Sequence, residues 1–409
     1  MQEKIEYKGY WWLPNNPDNP VAGILTYAPN DKILLELIGS FEPDKDPIEV
    51  ITENKSEDII HGLTSDSKKI TLYNCHSSGS INFSCNFPII RYNCQLIISG
   101  KHLETYKQKC FYKANVRVPE LTHWCPPSTL KYEYHYNNEK DAVESIHISF
   151  KVKPKTFDST QIDDNTELLL KGAVNYKGEF PSPKIEQYTY LEILKQNDAS
   201  LQDFISNISL YEQFISLATL RSINCSTIYL HDKSVYQELI NGKRIYKPIQ
   251  IIYVQNDINK TPNPKSHDFL FNFNAIEPLH SQIIQKWYTD KKNLAPIRTH
   301  LINSINNKGY FSSIDFLIVI QAIEGFWWRF REDKYRKDNR IQKKERTALK
   351  TIIKKIVEEF NPINKVEGLD FNFESIVDSR HYYSHFMNKK DKPHTLDGLD
   401  LYNVICTET

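Results

Sequence analysis

The sequence predicts an α+β protein in two parts, a β-rich sandwich- or barrel-like N-terminal region followed by an all-α helical bundle. Three observations carry this expectation. Up to about residue 155, short apolar runs alternate with Gly, Asn, Ser and Pro, the punctuation of antiparallel strands joined by turns. From about residue 268, apolar residues recur at three- and four-residue spacing over long segments, as in helices with one buried face. Between them Asn256 to His267 is rich in Asn, Lys and Pro and loses all periodicity. The expected division is therefore 1–155 β-rich, 156–267 mixed α/β, and 268–409 helical bundle.

Trp11-Trp12-Leu13-Pro14 opens the β-rich part. Ala22–Tyr27 and Ile33–Leu37 flank a break at Asn30-Asp31 and predict a hairpin. Further strands are expected at Lys69–Cys75, Ile81–Phe87, Cys94–Ser99, Ala114–Val118 and Ile146–Val152. No repeat of fixed period is visible. In the middle, Leu201 through Leu220 has helical spacing, while Thr227–Leu230 and Pro248–Val254 look like strands. Leu279, Ile283, Ile284 and Trp287 share a face of the first bundle helix, and Ile297–Ile305 lies on the second. A third, from Phe316 to about Tyr335, starts at a Ser312/Asp315 capping pair and is apolar enough to be central. Leu349, Ile352, Ile353, Ile356, Val357 and Phe360 line a fourth, which Asn361-Pro362 ends. A fifth follows Ile376 and Val377. Leu399–Val404 reads as the start of another helix, short or cut off.

Composition narrows the function classes. The chain has 409 residues, with Lys+Arg and Asp+Glu equal at 51 each, so any basic surface must be local. Seven scattered cysteines fit a reducing compartment better than a disulfide scaffold. There is no signal core at the N-terminus, and the apolar run Phe316–Ile320 is far too short to cross a bilayer. The expected protein is soluble and cytoplasmic, with no membrane partner. Phosphate loops, nucleophile elbows and dinucleotide fingerprints are missing, and no cofactor is expected. Cys75, Cys85, Cys94, Cys110 and Cys125, with His76 and His123, lack the pair spacing of a zinc site and read instead as small buried groups.

The chemistry concentrates in Asp378-Ser379-Arg380-His381-Tyr382-Tyr383-Ser384-His385. Arg380 and His385 have the spacing of the Arg-x4-6-His signature that HEPN domains carry. This resemblance implies RNA cleavage without a metal, which needs a base for the 2′-hydroxyl, an acid for the leaving 5′-oxygen and a cation for the phosphorane. Histidine suits the proton transfers and arginine the charge. Arg380 and His385 are the expected catalytic pair, with His381 and Ser384 assisting. Residues five apart on an ideal helix differ by about 140°. One chain is therefore not expected to aim both side chains at one point, unless the helix distorts or a second subunit completes the pocket. A rival reading takes Asp378, His381 and His385, which share a helical face, as metal ligands, with His394 as a further donor. The bland reading has the arginine capping or pairing while His385 packs quietly. Glu324, in an apolar helix, needs a partner: it either orients Arg380 or pairs with Arg329 or Arg331. Arg329 to Lys355 holds 12 Lys/Arg against 4 Asp/Glu, a net of +8, beside Trp327, Trp328, Phe330 and Tyr335. Arg329, Arg331, Lys334, Arg336, Lys337 and Arg340 are candidate RNA contacts, against the alternative of a solvated helix end.

Arg380, four residues, His385 resembles the Arg-x4-6-His signature of HEPN domains, many of which are metal-independent ribonucleases. His381 fills the position where such motifs often carry a polar residue. Gly9-Tyr-Trp11-Trp12-Leu13-Pro14, then Gly23-Ile-Leu and Leu35-Glu-Leu-Ile-Gly39-Ser-Phe41, resembles the N-terminal domain of ApeA-type bacterial anti-phage proteins. Those proteins join such a domain to a C-terminal HEPN domain, which here would occupy 268–409. The resemblance implies an abortive-infection ribonuclease acting on RNA (tRNA among the candidates) and silent until a phage-derived trigger is sensed. It also implies a homodimer or higher homo-oligomer in which two copies of the motif meet across a groove, with the N-terminal region as sensor or regulator. Two other classes stay open: a non-catalytic HEPN scaffold, and a metal-dependent hydrolase built on Asp378, His381 and His385.

Overall fold

The computed structural model describes residues 4–28, 32–42, 55–77, 89–137, 142–178, 180–254, 269–306, 313–341, 346–360 and 372–397. The expected strand at Ile81–Phe87, the turn at Asn30-Asp31, the Ser312 cap, the Asn361-Pro362 stop and the helix start at Leu399–Val404 lie outside them. The chain divides into two compact units, Met1–Ile215 with Ile223–Gln285, and Ser216–Ser222 with Lys286–Thr409.

In the first unit, strands β1 (Ile5–Trp12), β2 (Val21–Tyr27), β3 (Ile33–Ile38), β4 (Ser56–Thr64), β5 (Lys69–Ser77) and β6 (Ile89–Ser99) pair antiparallel. Pairing of β5 with β6, Ile70 opposite Ser99, closes them into a six-stranded barrel. Strict alternation places the side chains. Leu25, Tyr27, Ile33, Leu35 and Leu37 are all at most 1% exposed, while Ile24, Thr26, Leu34 and Glu36 between them keep contact with solvent. The Trp11-Trp12 pair is explained by the same period. Trp11 points into the barrel and lies on Gly62, where a Cβ would come within 2.3 Å of the indole. Trp12 faces the other way and meets the His61 and His102 rings edge-on.

The sheet does not stop at the barrel. The first half of β6 pairs with β3, and its last residues pair with β16 (Ile249–Tyr253). From β16 the order continues through β13 (Thr227–His231), β7 (Phe111–Arg117), β12 (Lys184–Ala199) and β11 (Thr166–Lys177) to β10 (Lys155–Asp163) at the edge. Strands on both sides of residue 155 thus share one sheet, and the compositional break there is no boundary in it. Two separate hairpins, β8 (Leu130–Tyr136) with β9 (Val143–Phe150) and β14 (Tyr236–Glu238) with β15 (Arg244–Tyr246), complete the strands. Short helices α1 (Pro119–Trp124) and α3 (Phe273–Ile276) accompany the longer α2 (Leu201–Thr219). Ser200 and Asp203 cap α2 reciprocally, at 3.0 and 3.3 Å from each other's backbone N–H. Leu201, Phe204, Ile208, Tyr211 and Ile215 form its buried stripe.

After α4 (His280–Thr289) the chain is helical: α5 (Lys291–Asn306), α6 (Ser313–Phe330), α7 (Glu332–Asn339), α8 (Leu349–Phe360) and α9 (Phe373–His385). Phe316, Val319 and Ile320 of α6 pack with Leu349 and Ile353 of α8 and Ile376 of α9. The helix expected to continue to Tyr335 breaks at Arg331. Glu332 turns inward there, where its carboxylate accepts from Trp327 Nε1, from Arg336 Nε at 2.6 Å and from Thr347 Oγ1 at 2.9 Å. That side chain is only 8% exposed, so these partners replace lost water. Among the described residues no helix is long and apolar enough to cross a membrane.

Candidate active site

Helix α9 is fixed on one side and open on the other. Asn372 caps it, its side-chain oxygen accepting from Ser375 N at 3.1 Å. Ile376 and Ser379 are buried, and the Ser379 hydroxyl accepts from Leu396 N at 2.9 Å. Tyr383 donates to Leu396 O at 2.9 Å, which ties the following segment back onto the helix. The remaining face presents Arg380, His381, Ser384 and His385, with His385 exposed at the last helical residue. Phe386 then ends the helix in the left-handed region, at φ 51°.

The structure brings Arg380 and His385 together within one chain. Arg380 Nη1 lies 3.0 Å from His385 Nε2 and 3.4 Å from Ser384 Oγ. The expectation that one chain could not aim both at one point is corrected. Five residues advance the helix by about 7.5 Å, and an arginine is long enough to lie along that distance. An arginine can only donate, so in this hydrogen bond His385 Nε2 is the acceptor. His381 stacks beside it, with ring centroids 5.8 Å apart and planes at 25°. Burial, then the Lys392 and Arg380 cations, hold His381 below the ordinary imidazole pKa, against an opposing pull from Asp378.

Glu324 of α6 supplies the anchor. It is 7% exposed, and its Oε2 is 3.4 Å from Arg380 Nη2. The competing partners are engaged elsewhere. Arg329 donates to Asn293 O at 2.6 Å, and Arg331 grips Glu359 through Nε and Nη2 at 2.8–3.0 Å. The guanidinium thus bridges two helices and the imidazole at once.

The metal-site alternative is not assembled. Asp378 turns to Lys392 Nζ and His394 N, both at 3.4 Å. Among the described residues no group of three or more His, Cys, Asp or Glu side chains is placed to hold a metal ion. The described cysteines are likewise apart from any such cluster. Cys75 and Cys94 are buried opposite each other on β5 and β6, and His76 pairs with Ser56 at 2.9 Å. Burial pushes the Cys110 and Cys125 thiols up to about 12. Cys85 lies outside the described residues.

One turn beyond Glu324 on α6, about 6 Å along the axis, Trp328 enters a cleft of about 740 Å³. Arg336, Lys337, Arg340 and Arg346 line it, with Glu332 and Asp333. The Arg346 guanidinium stands 5.5 Å above the Trp328 ring. Of the expected RNA contacts, Arg336, Lys337 and Arg340 reach this cleft, Lys334 is not among its lining residues, and Arg329 and Arg331 are held in the pairs above. Arg346 was not singled out from the sequence. Its only signal was membership of the basic run.

Comparison with known families gives two matches. Residues 6–287 match the ApeA N-terminal domain 1, and residues 317–407 match the Apea-like HEPN domain. No curated protein and no solved structure matches the chain. The first match spans well over half of the chain and contains the Trp11-Trp12 segment, and the second contains α9 with Arg380 and His385. The chain therefore belongs to the ApeA family, with an ApeA N-terminal domain followed by an Apea-like HEPN domain.

Proposed function

We propose that this protein is an anti-phage endoribonuclease of the abortive-infection type that cleaves RNA by metal-independent attack of the 2′-hydroxyl. HEPN domains are generally ribonuclease-related, and the ApeA family suggests anti-phage defence. The single observation that carries the reading is the 3.0 Å contact between Arg380 and His385, anchored by Glu324. In the resting chain Arg380 occupies the His385 Nε2 lone pair. A scissile phosphate draws the guanidinium onto its oxygens through two donors, and the lone pair is released. His385 then takes the 2′-hydroxyl proton, and the 2′-oxygen attacks phosphorus. The bond to the 5′-oxygen breaks, Arg380 holds the phosphorane charge, and Ser384 and His381 assist. The proton for the 5′-oxygen comes from the histidine of a second copy paired through the HEPN unit, which takes that proton from solvent once its own arginine has moved off Nε2. The Trp328–Arg346 cleft guides flanking nucleotides by stacking and charge. The N-terminal unit regulates the process in response to a phage-derived trigger.

The test is end chemistry and protection together. Cells carrying the protein are infected, RNA ends are mapped, and cleavage by the activated protein is repeated in EDTA. The expected products carry 2′,3′-cyclic phosphate and 5′-hydroxyl ends and form with EDTA present. Arg380→Ala and His385→Ala lose both cleavage and protection while their melting temperatures hold. Retained protection in both variants refutes the roles assigned. RNA left intact with the trigger present transfers the case to a scaffold, and loss in EDTA transfers it to a metal hydrolase.

A further inference from the structure

We infer that the N-terminal unit holds a binding pocket for an uncharged planar heteroaromatic ligand, of the nucleobase or nucleoside class. A space of about 440 Å³ opens between α2 and strands β5, β6, β13 and β16. Protein interiors leave few voids larger than a water molecule, and small-molecule sites occupy a few hundred cubic ångströms. At about 440 Å³ this one falls within that range.

Its lining defines the chemistry. Tyr73 and Tyr106 are stacked, centroids 4.3 Å apart and planes at 22°, and offer a flat π-face to a ring. Ile205, Ile208, Ile228 and Leu96 provide apolar contact. Gln95, Ser209 and Glu212 line the space as well, with the hydroxyl-bearing Tyr253. Asn74 Nδ2 donates to the Gln95 oxygen at 3.1 Å, so the Gln95 amide nitrogen points its donors elsewhere. Glu212 Oε1 accepts from Cys225 N at 2.9 Å. Burial raises the Glu212 pKa, against the lowering pull of its hydrogen bonds with Cys225. The Gln95 amide, the Glu212 carboxyl and a stacked pair of rings line one space, and a nucleobase offers a polar edge and a flat face to match them. Among the described residues that line the space there is no Lys, Arg or His, so nothing there neutralises a phosphate. That favours the nucleoside over the nucleotide.

Binding is read directly and does not depend on the nuclease reading. Full-length protein is titrated calorimetrically with adenosine, guanosine, cytidine and uridine, and with their 5′-monophosphates. At least one nucleoside binds with a Kd of about 10–100 µM, and its monophosphate binds at least about tenfold more weakly. Ser209→Trp fills the space and removes binding, Glu212→Gln weakens it, and Arg380→Ala leaves it unchanged. If Ser209→Trp lowers the melting temperature, Tyr106→Ala is judged by the same criterion. The inference is overturned if no nucleoside binds the wild type, if the monophosphate binds as tightly, or if the pocket variants bind like the wild type. It is equally overturned if only aromatic peptides bind, or if Arg380→Ala abolishes nucleoside binding.

Discussion

Replacing Arg380 with lysine keeps the charge and removes the fork. Arg380 meets three groups with two nitrogens: Nη1 serves His385 at 3.0 Å and Ser384 at 3.4 Å, while Nη2 serves Glu324 at 3.4 Å. A lysine has one nitrogen on a shorter reach and cannot bridge Glu324 and a phosphate oxygen together. Losing one oriented donor from a developing charge costs about 2.7–4 kcal/mol, or about 10²–10³ in rate. The ground state loses much less. The contacts are mostly long and the Arg380 side chain is 23% exposed, so the stability change is on the order of 1 kcal/mol. That corresponds to a melting shift of a few degrees. Single-turnover cleavage of a labelled RNA by activated protein, run beside a thermal melt, separates the two effects. An Arg380→Lys variant that cleaves within about threefold of wild type shows that charge alone suffices and that the forked geometry is irrelevant.

Three further outcomes follow from single side chains. Trp328→Ala should weaken binding of short single-stranded RNA about tenfold, since stacking one base contributes about 1–3 kcal/mol. Arg346→Ala should lower the slope of log affinity against log salt by about 0.7, and fluorescence anisotropy at several ionic strengths would reveal an unchanged slope if the cleft is not used. His231, on β13, is held down to about 4 by burial and then by the Lys113 cation, with Glu192 opposing. Its folded pKa is below the unfolded value of about 6.5, so the unfolded chain binds the proton first as pH falls. This contribution is full above about pH 6.5 and gone below about pH 4, and amounts to at most about 3 kcal/mol. His231→Gln should therefore flatten the fall in melting temperature between those values, and parallel curves for the two proteins would contradict the assignment.

Local periods were legible, and distant pairings were not. The alternation of Val21–Tyr27 and Ile33–Leu37 is written in adjacent residues, and their pairing as β2 and β3 follows from it. Closure of the barrel through Ile70 and Ser99 depends on hydrogen bonds between distant backbones, which no side-chain pattern encodes. For the same reason the change of composition near 155 marked no edge in a sheet that sets β7 between β12 and β13. At the candidate site, residue types and spacing singled out Arg380 and His385, but a helical wheel treats side chains as fixed spokes. It ignored the length of an arginine lying along its own helix. Glu324 was recognisable as a carboxylate in need of a partner, whereas the choice of Arg380, 56 residues away, required the packing of α6 against α9. The basic run overstated its free charge, because Arg331 and Arg336 are neutralised by Glu359 and Glu332.

One consequence concerns restraint. The cation and the imidazole are neighbours on a single helix and already touch before any signal arrives. Under the nuclease reading, an incoming stimulus has nothing left to build within one copy of the reaction centre. Silence must come from barring the door, by keeping polynucleotide away or copies apart. Such a design leaks whenever the barrier loosens, so overproduction alone should slow the growth of an uninfected host.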